Sequence, residues 1–203
     1  MSEFAVFEEH SDVGSPGRPG LCTYDAVQQC FRLEGSGANV WGQQDAFQYV
    51  WKPMHGNCIV TARAQFIGVG VEPHRKLGCM LRAGLDANAA HVSACVHGDG
   101  LTALQFRRAA GVETEELRLD ISAPDVIQLE RAGNTIIMSV AHFGEPFVSQ
   151  QLEGLELGDE IYVGLFVCSH NDALSEQALF ENVRVVVPAA EPEPAMGTLG
   201  SHL

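Results

Sequence analysis

The stretch KLGCMLR (Lys76 to Arg82), followed by HVSACVHGDGLTALQFRR (His91 to Arg108), decides the fold. Read with the side-chain period of two that a strand imposes, it gives three antiparallel strands. On the first, Leu77, Cys79 and Leu81 share one face while Lys76, Met80 and Arg82 share the other. On the second, Val92, Ala94 and Val96 oppose His91, Ser93, Cys95 and His97; on the third, Leu104 and Phe106 oppose Ala103, Gln105 and Arg107. His97-Gly98-Asp99-Gly100 joins the last two as a hairpin, because Asp-Gly accepts positive φ. One face builds a core. The other is expected to set Arg82, His97 and Gln105 within reach of one another as a binding surface.

Outward from this stretch, short β-like runs recur between turn signals. They are Phe4–Glu8, Gln28–Leu33, Phe47–Trp51, Cys58–Phe66, Glu115–Ile121, Val126–Arg131, Thr135–Ala141, Glu160–Cys168 and Ala178–Val187. Arg131-Ala132-Gly133-Asn134 reads as a second hairpin. Amphipathic helical periodicity over three turns is absent, with single turns at most over Ala87–Ala90 and Asp172–Gln177. So many strands around one core predict an all-β protein, a two-sheet antiparallel β-sandwich over residues 1–187. Residues 188–203, PAAEPEPAMGTLGSHL, read as a Pro/Glu/Ala linker and tail that opens a further domain.

A net charge of −14 argues against nucleic acid or an anionic membrane surface as partner, and favours a neutral ligand. No apolar run is long enough for a membrane-spanning helix. The six cysteines (Cys22, Cys30, Cys58, Cys79, Cys95, Cys168) show no zinc-ligand spacing, and four fall inside expected strands, where a free cysteine behaves as a small apolar residue. With no basic and apolar leader pattern in MSEFAVFEEHSDVGSPG, the expectation is a reduced, cytoplasmic protein.

The succession GSGANVWGQQDAFQYVW (Gly35 to Trp51), HRKLGCMLRAGLD (His74 to Asp86), VHGDGLTALQFR (Val96 to Arg107), VGLFVCSHN (Val163 to Asn171) and LFENVRV (Leu179 to Val185) resembles the concanavalin A-like lectin/glucanase superfamily. Within it, the chain is most similar to the bacterial regulation-of-enolase-like branch, and also to the C-terminal domains of β-xylosidases. The resemblance implies a jelly roll whose concave face holds sugar in lectins and glucanases. In some relatives such a domain precedes a Tol-type β-propeller. The motif order is specific for the fold and for no activity.

Candidate ligand contacts are Arg82, His97 and Gln105, whose guanidinium and carboxamide groups suit vicinal hydroxyls. Inside a sandwich, Arg82 would equally serve a buried carboxylate. Trp41 offers a ring on which a sugar can stack, and its neighbours Gly42, Gln43, Gln44 and Asp45 are polar, so Gln43 and Asp45 join the set with His170 at the rim. Phe47, Tyr49 and Trp51 share a face that reads first as core. Asp45 and the turn Cys168–Asp172 offer oxygen ligands for calcium, although the spacing matches no known loop, and otherwise no cofactor is expected. Carboxylate-based hydrolysis needs two facing acids, and the Glu-x-Asp-x-x-Glu strand of the superfamily's glucanases is missing. Glu113, Glu115, Glu116 and Asp120 read as a solvated face.

Three readings stay open: a non-catalytic carbohydrate-binding or interaction module, a glycoside hydrolase or lyase with its carboxylates on loops, and a structural docking domain. For the last, an open sheet edge or face would pair with a neighbouring domain or a second copy.

Overall fold

A computed structural model describes residues 3–189. From residue 190 on, the expected tail lies outside the described residues. Among those described there are strands and turns but no helix.

Two seven-stranded antiparallel sheets make up the body. The first runs β1 (Glu9–Val13), β6 (Phe47–His55), β15 (Glu160–Cys168), β8 (Lys76–Arg82), β9 (His91–His97), β10 (Thr102–Arg107) and β11 (Glu115–Arg118). The second runs β14 (Val148–Leu152), β13 (Thr135–Ala141), β12 (Val126–Ala132), β7 (Cys58–Ile67), β16 (Asn171–Val186), β3 (Cys30–Gly37) and β2 (Leu21–Asp25). A separate two-stranded ribbon pairs β4 (Val40–Trp41) with β5 (Gln44–Asp45). Both expected hairpins are present, β9 to β10 and β12 to β13. The turn at His55-Gly56-Asn57 is a crossing between sheets, since β6 lies in the first sheet and β7 in the second.

The face assignments hold. Leu77, Cys79, Leu81, Val92, Ala94, Val96, Leu104 and Phe106 all join one apolar cluster between the sheets, with Val60, Leu129, Val163 and Phe180 opposite or beside them. This is the two-sheet sandwich that period-two alternation predicted, in the jelly-roll form that the resemblance implied.

The outer face of the first sheet is different from expectation. Every residue of β8, β9 and β10 is buried, so this face is covered as well. Val13, Val40, Phe47, Tyr49, Met80, Cys95, Ala103, Phe166 and Cys168 form a second apolar cluster there. Phe47 and Tyr49 are therefore core, as read, but of the outer cluster rather than the one between the sheets.

Three local expectations give way. Residues 3–6 form a turn with Ala5 at φ 52°, and the first strand starts at Glu9. Asp172–Gln177 is extended, as part of a long β16 whose register slips between Glu181 and Arg184 at Asn182, where φ is 52°. The strand expected over Glu115–Ile121 stops at Arg118. All six cysteines are buried and unpaired.

Candidate functional site

The β4–β5 ribbon covers the outer face because its polar residues meet two strand arginines. Asp45 is fully buried at its side chain, as are Arg82 and Arg107. Asp45 Oδ2 accepts from Arg82 Nη1 and Arg107 Nη1, each at 2.8 Å, and Oδ1 accepts from Arg107 Nη2 at 2.8 Å. Arg107 also donates to Gly42 O, which accepts from Thr114 Oγ1 at 2.8 Å. Arg82 spends its other donors on Gly84 O and Asp86 O. Charged groups removed from water need such pairing to be tolerated. Burial works against ionising Asp45, but the Arg107 hydrogen bond and the surrounding charges outweigh it and hold the carboxyl below the usual range. His91 lies 3.9 Å from the same carboxylate, and burial pushes its pKa down to about 3. The cluster fastens the ribbon in place.

The ribbon leaves one end of the face uncovered, and a pocket of about 230 Å³ opens there. That is below the roughly 300–1,000 Å³ of pockets for drug-sized ligands, so it suits one ring rather than an extended chain. Trp41, Lys76, His97, Gln105, Glu116 and His170 are among its lining residues. Trp41 is 40% exposed. Below it runs a polar chain. Lys76 Nζ donates to Val40 O at 3.3 Å and to Gln105 Oε1 at 3.2 Å, and Gln105 Nε2 donates to Glu116 Oε2 at 2.9 Å. Glu116 Oε1 then accepts from Arg118 Nε at 2.6 Å.

Two of the pocket's histidines, His97 and His170, are biased toward the neutral form. Burial first, and the Lys76 charge second, push His97 down to about 4. His97 Nδ1 lies 3.0 Å from Leu101 O, a partner that needs the proton on Nδ1 and leaves Nε2 as an acceptor. Burial, Lys76 and His74 also lower His170, whose Nδ1 is buried without a hydrogen-bond partner and whose backbone is left-handed at φ 58°. Burial opposes ionisation of Glu116, but hydrogen bonds from Gln105 and Arg118 prevail and keep it a carboxylate.

Of the residues expected to bind, Trp41, His97, Gln105 and His170 meet in this pocket. Arg82 does not. It pairs with His91 across the β8–β9 ladder, whereas His97 pairs with Lys76 at the ladder's other end. Six residues of strand separate the two, about 20 Å. Asp45 lies in the buried cluster, with both oxygens taken by guanidinium groups. Gln43 sits on the exposed ribbon turn, donating to Glu113 Oε1 at 2.9 Å. Asn171, in the turn expected to offer oxygens to calcium, uses Oδ1 to accept from Ala173 N. Among the described residues no group of three or more His, Cys, Asp or Glu is arranged to hold a metal ion.

Lys76 and Arg107 were legible on the same strand face as Arg82 but were not singled out. Glu116, read as solvated, is a pocket wall whose side chain is 15% exposed.

No family model matches the chain, and no curated protein sequence does. Solved structures do. A functionally unknown protein from Saccharomyces cerevisiae superposes with a TM-score of 0.66 at 10% identity, covering 93% of this chain and 100% of that one. A legume lectin-like domain from Entamoeba histolytica gives 0.58 at 7% identity, over 92% of each chain. The GH43 protein BlXynB from Bacillus licheniformis gives 0.57 at 10% identity, over 88% of this chain and 39% of that one. At such identities the likeness is one of fold, the concanavalin A-like jelly roll.

Proposed function

We propose that this protein is a carbohydrate-binding module that holds one sugar ring, or the end of a glycan, between Trp41 and the outer face of the first sheet. The observation that carries the reading is the half-exposed Trp41 ring standing over a pocket floored by Lys76, Gln105 and His97. An indole offers a stacking surface to the C–H face of a sugar, and a carboxamide, an ammonium and an imidazole acceptor serve its hydroxyls. The lectin-like neighbour supports the assignment at the level of fold.

A binding role without chemistry is favoured by the charge pattern. Glu116 is the one carboxylate among the lining residues, and it is already engaged by Gln105 and Arg118. Glycoside hydrolysis by paired carboxylates has no second acid here.

Glycan-array screening followed by calorimetry on wild type, Trp41→Ala and Gln105→Ala tests this. Each variant is expected to bind about tenfold or more weakly; Trp41→Ala should melt near the wild-type temperature, and Gln105→Ala lower, because it takes a buried partner from Lys76 and Glu116. Unchanged binding in both variants would refute the site. Release of sugar products by the wild type would refute the non-catalytic role.

A further inference from the structure

We propose that the pocket selects a sugar carrying a single anionic oxygen group, a uronate carboxylate or a sulfate ester, and that the Lys76 ammonium anchors it. The proposal rests on the carbohydrate-binding reading of this pocket and adds charge selectivity to it.

Lys76 is 3% exposed and lines the pocket. Its hydrogen-bond partners are Val40 O and Gln105 Oε1, both neutral. An ammonium has three protons to donate, so one remains for a ligand. A buried charge is costly unless it is paired or fully hydrogen-bonded, and the buried arginines each have a carboxylate or several carbonyls to engage their donors. Arg82 and Arg107 share Asp45, Arg75 meets Glu176 at 2.7 Å, and Arg131 is met by backbone carbonyls of Gly133, Gly158 and Asp159. Lys76, whose ammonium lies 6.0 Å from the Trp41 ring centroid, keeps one donor outside its two hydrogen bonds.

The nearest acid does not fill this role. Both oxygens of Glu116 are engaged, one by Arg118 and one by the Gln105 amide that stands between Glu116 and Lys76. Among the lining residues Lys76 and Arg118 are the cations and Glu116 the carboxylate, while Asp99 and Glu72 act on His97, Arg118 and His170 from outside the lining. Arg118 is paired with Glu116, whereas Lys76 hydrogen-bonds to no carboxylate among the described residues, and a singly charged group matches its single charge. The unpartnered Nδ1 of His170 adds a further polar group to the same wall.

Calorimetry of the full chain with glucuronate and galacturonate, their neutral parents glucose and galactose, and glucose 6-sulfate tests the proposal. The charged sugars are expected to bind about ten- to a hundred-fold tighter than the neutral ones, the gain of one hydrogen bond to a charged group. That preference should shrink with added potassium chloride and collapse in Lys76→Met, while the order of uronate and sulfate identifies the group. Should a thermal melt show Lys76→Met to be unfolded, the charged-to-neutral ratio and its salt dependence in the wild type decide alone. Equal affinity for charged and neutral sugars overturns this inference and leaves the pocket's role intact. No affinity for any of the five sugars overturns both.

Discussion

Replacing Asp45 by alanine should lower stability more than any other single truncation in the ribbon. The substitution removes three hydrogen bonds of 2.8 Å and leaves the Arg82 and Arg107 guanidinium groups, both fully buried, without a counter-charge. Breaking a buried ion pair by removing one partner costs about 3–5 kcal/mol. For a chain of this size each kcal/mol moves the melting temperature by roughly 2–4 °C, so a fall of about 6–20 °C is expected by calorimetry or circular dichroism. Asp45→Asn keeps one acceptor oxygen and should fall less. The triple variant Asp45→Ala, Arg82→Met, Arg107→Met should recover part of the loss, because apolar residues of similar length carry no stranded charge. A melting temperature for Asp45→Ala within about 2 °C of wild type would refute the reasoning, as that is under ~1 kcal/mol for the whole cluster.

Arg82→Ala should behave as a weaker Asp45→Ala, destabilising the fold without changing the charged-to-neutral sugar preference. A lost preference at unchanged stability would return Arg82 to the binding site. Stability should fall as pH drops from about 6.5 toward 4, because the unfolded chain protonates His91 and His97 near 6.5 while the folded chain holds them to about 3 and about 4. His91→Phe should flatten this slope, and thermal melts across pH that stay as steep as wild type would count against it. Thiol titration with an aromatic disulfide at pH 8 should find native Cys22, Cys79 and Cys95 inert, since burial pushes each to about 12, and all six cysteines reactive after denaturation. Rapid reaction of several thiols in the native protein would contradict the burial.

The sandwich was readable because β8, β9 and β10 alternate cleanly and Asp99-Gly100 fixes their register locally. The edge strands β1, β2 and β14 were harder. EHSDV, LCTYD and VSQQL each bury only one residue, so they carry little apolar alternation. The larger gap lies on the outer face. Alternation correctly grouped Arg82, Arg107, Lys76, His97 and Gln105 on one side, but a period of two does not say how far apart along the ladder two residues end, nor what covers them. That depends on Asp45 reaching partners 37 and 62 positions away. Loop-to-strand pairing at such separations leaves no periodic trace. Trp41 was legible from its polar neighbours, and Glu116 was hidden by its place in an acidic run that elsewhere faces solvent.

Two-dimensional NMR of the labelled protein during titration with an acidic sugar shows whether the Trp41 pocket is where a sugar binds. The largest shifts are expected on the Trp41 indole N–H, the Gln105 side-chain amide and the His97 ring, with glucose moving them far less at equal concentration. Shifts centred instead on the exposed Phe143 and Phe147 side chains in the β13–β14 connection, or none for any sugar, would contradict it.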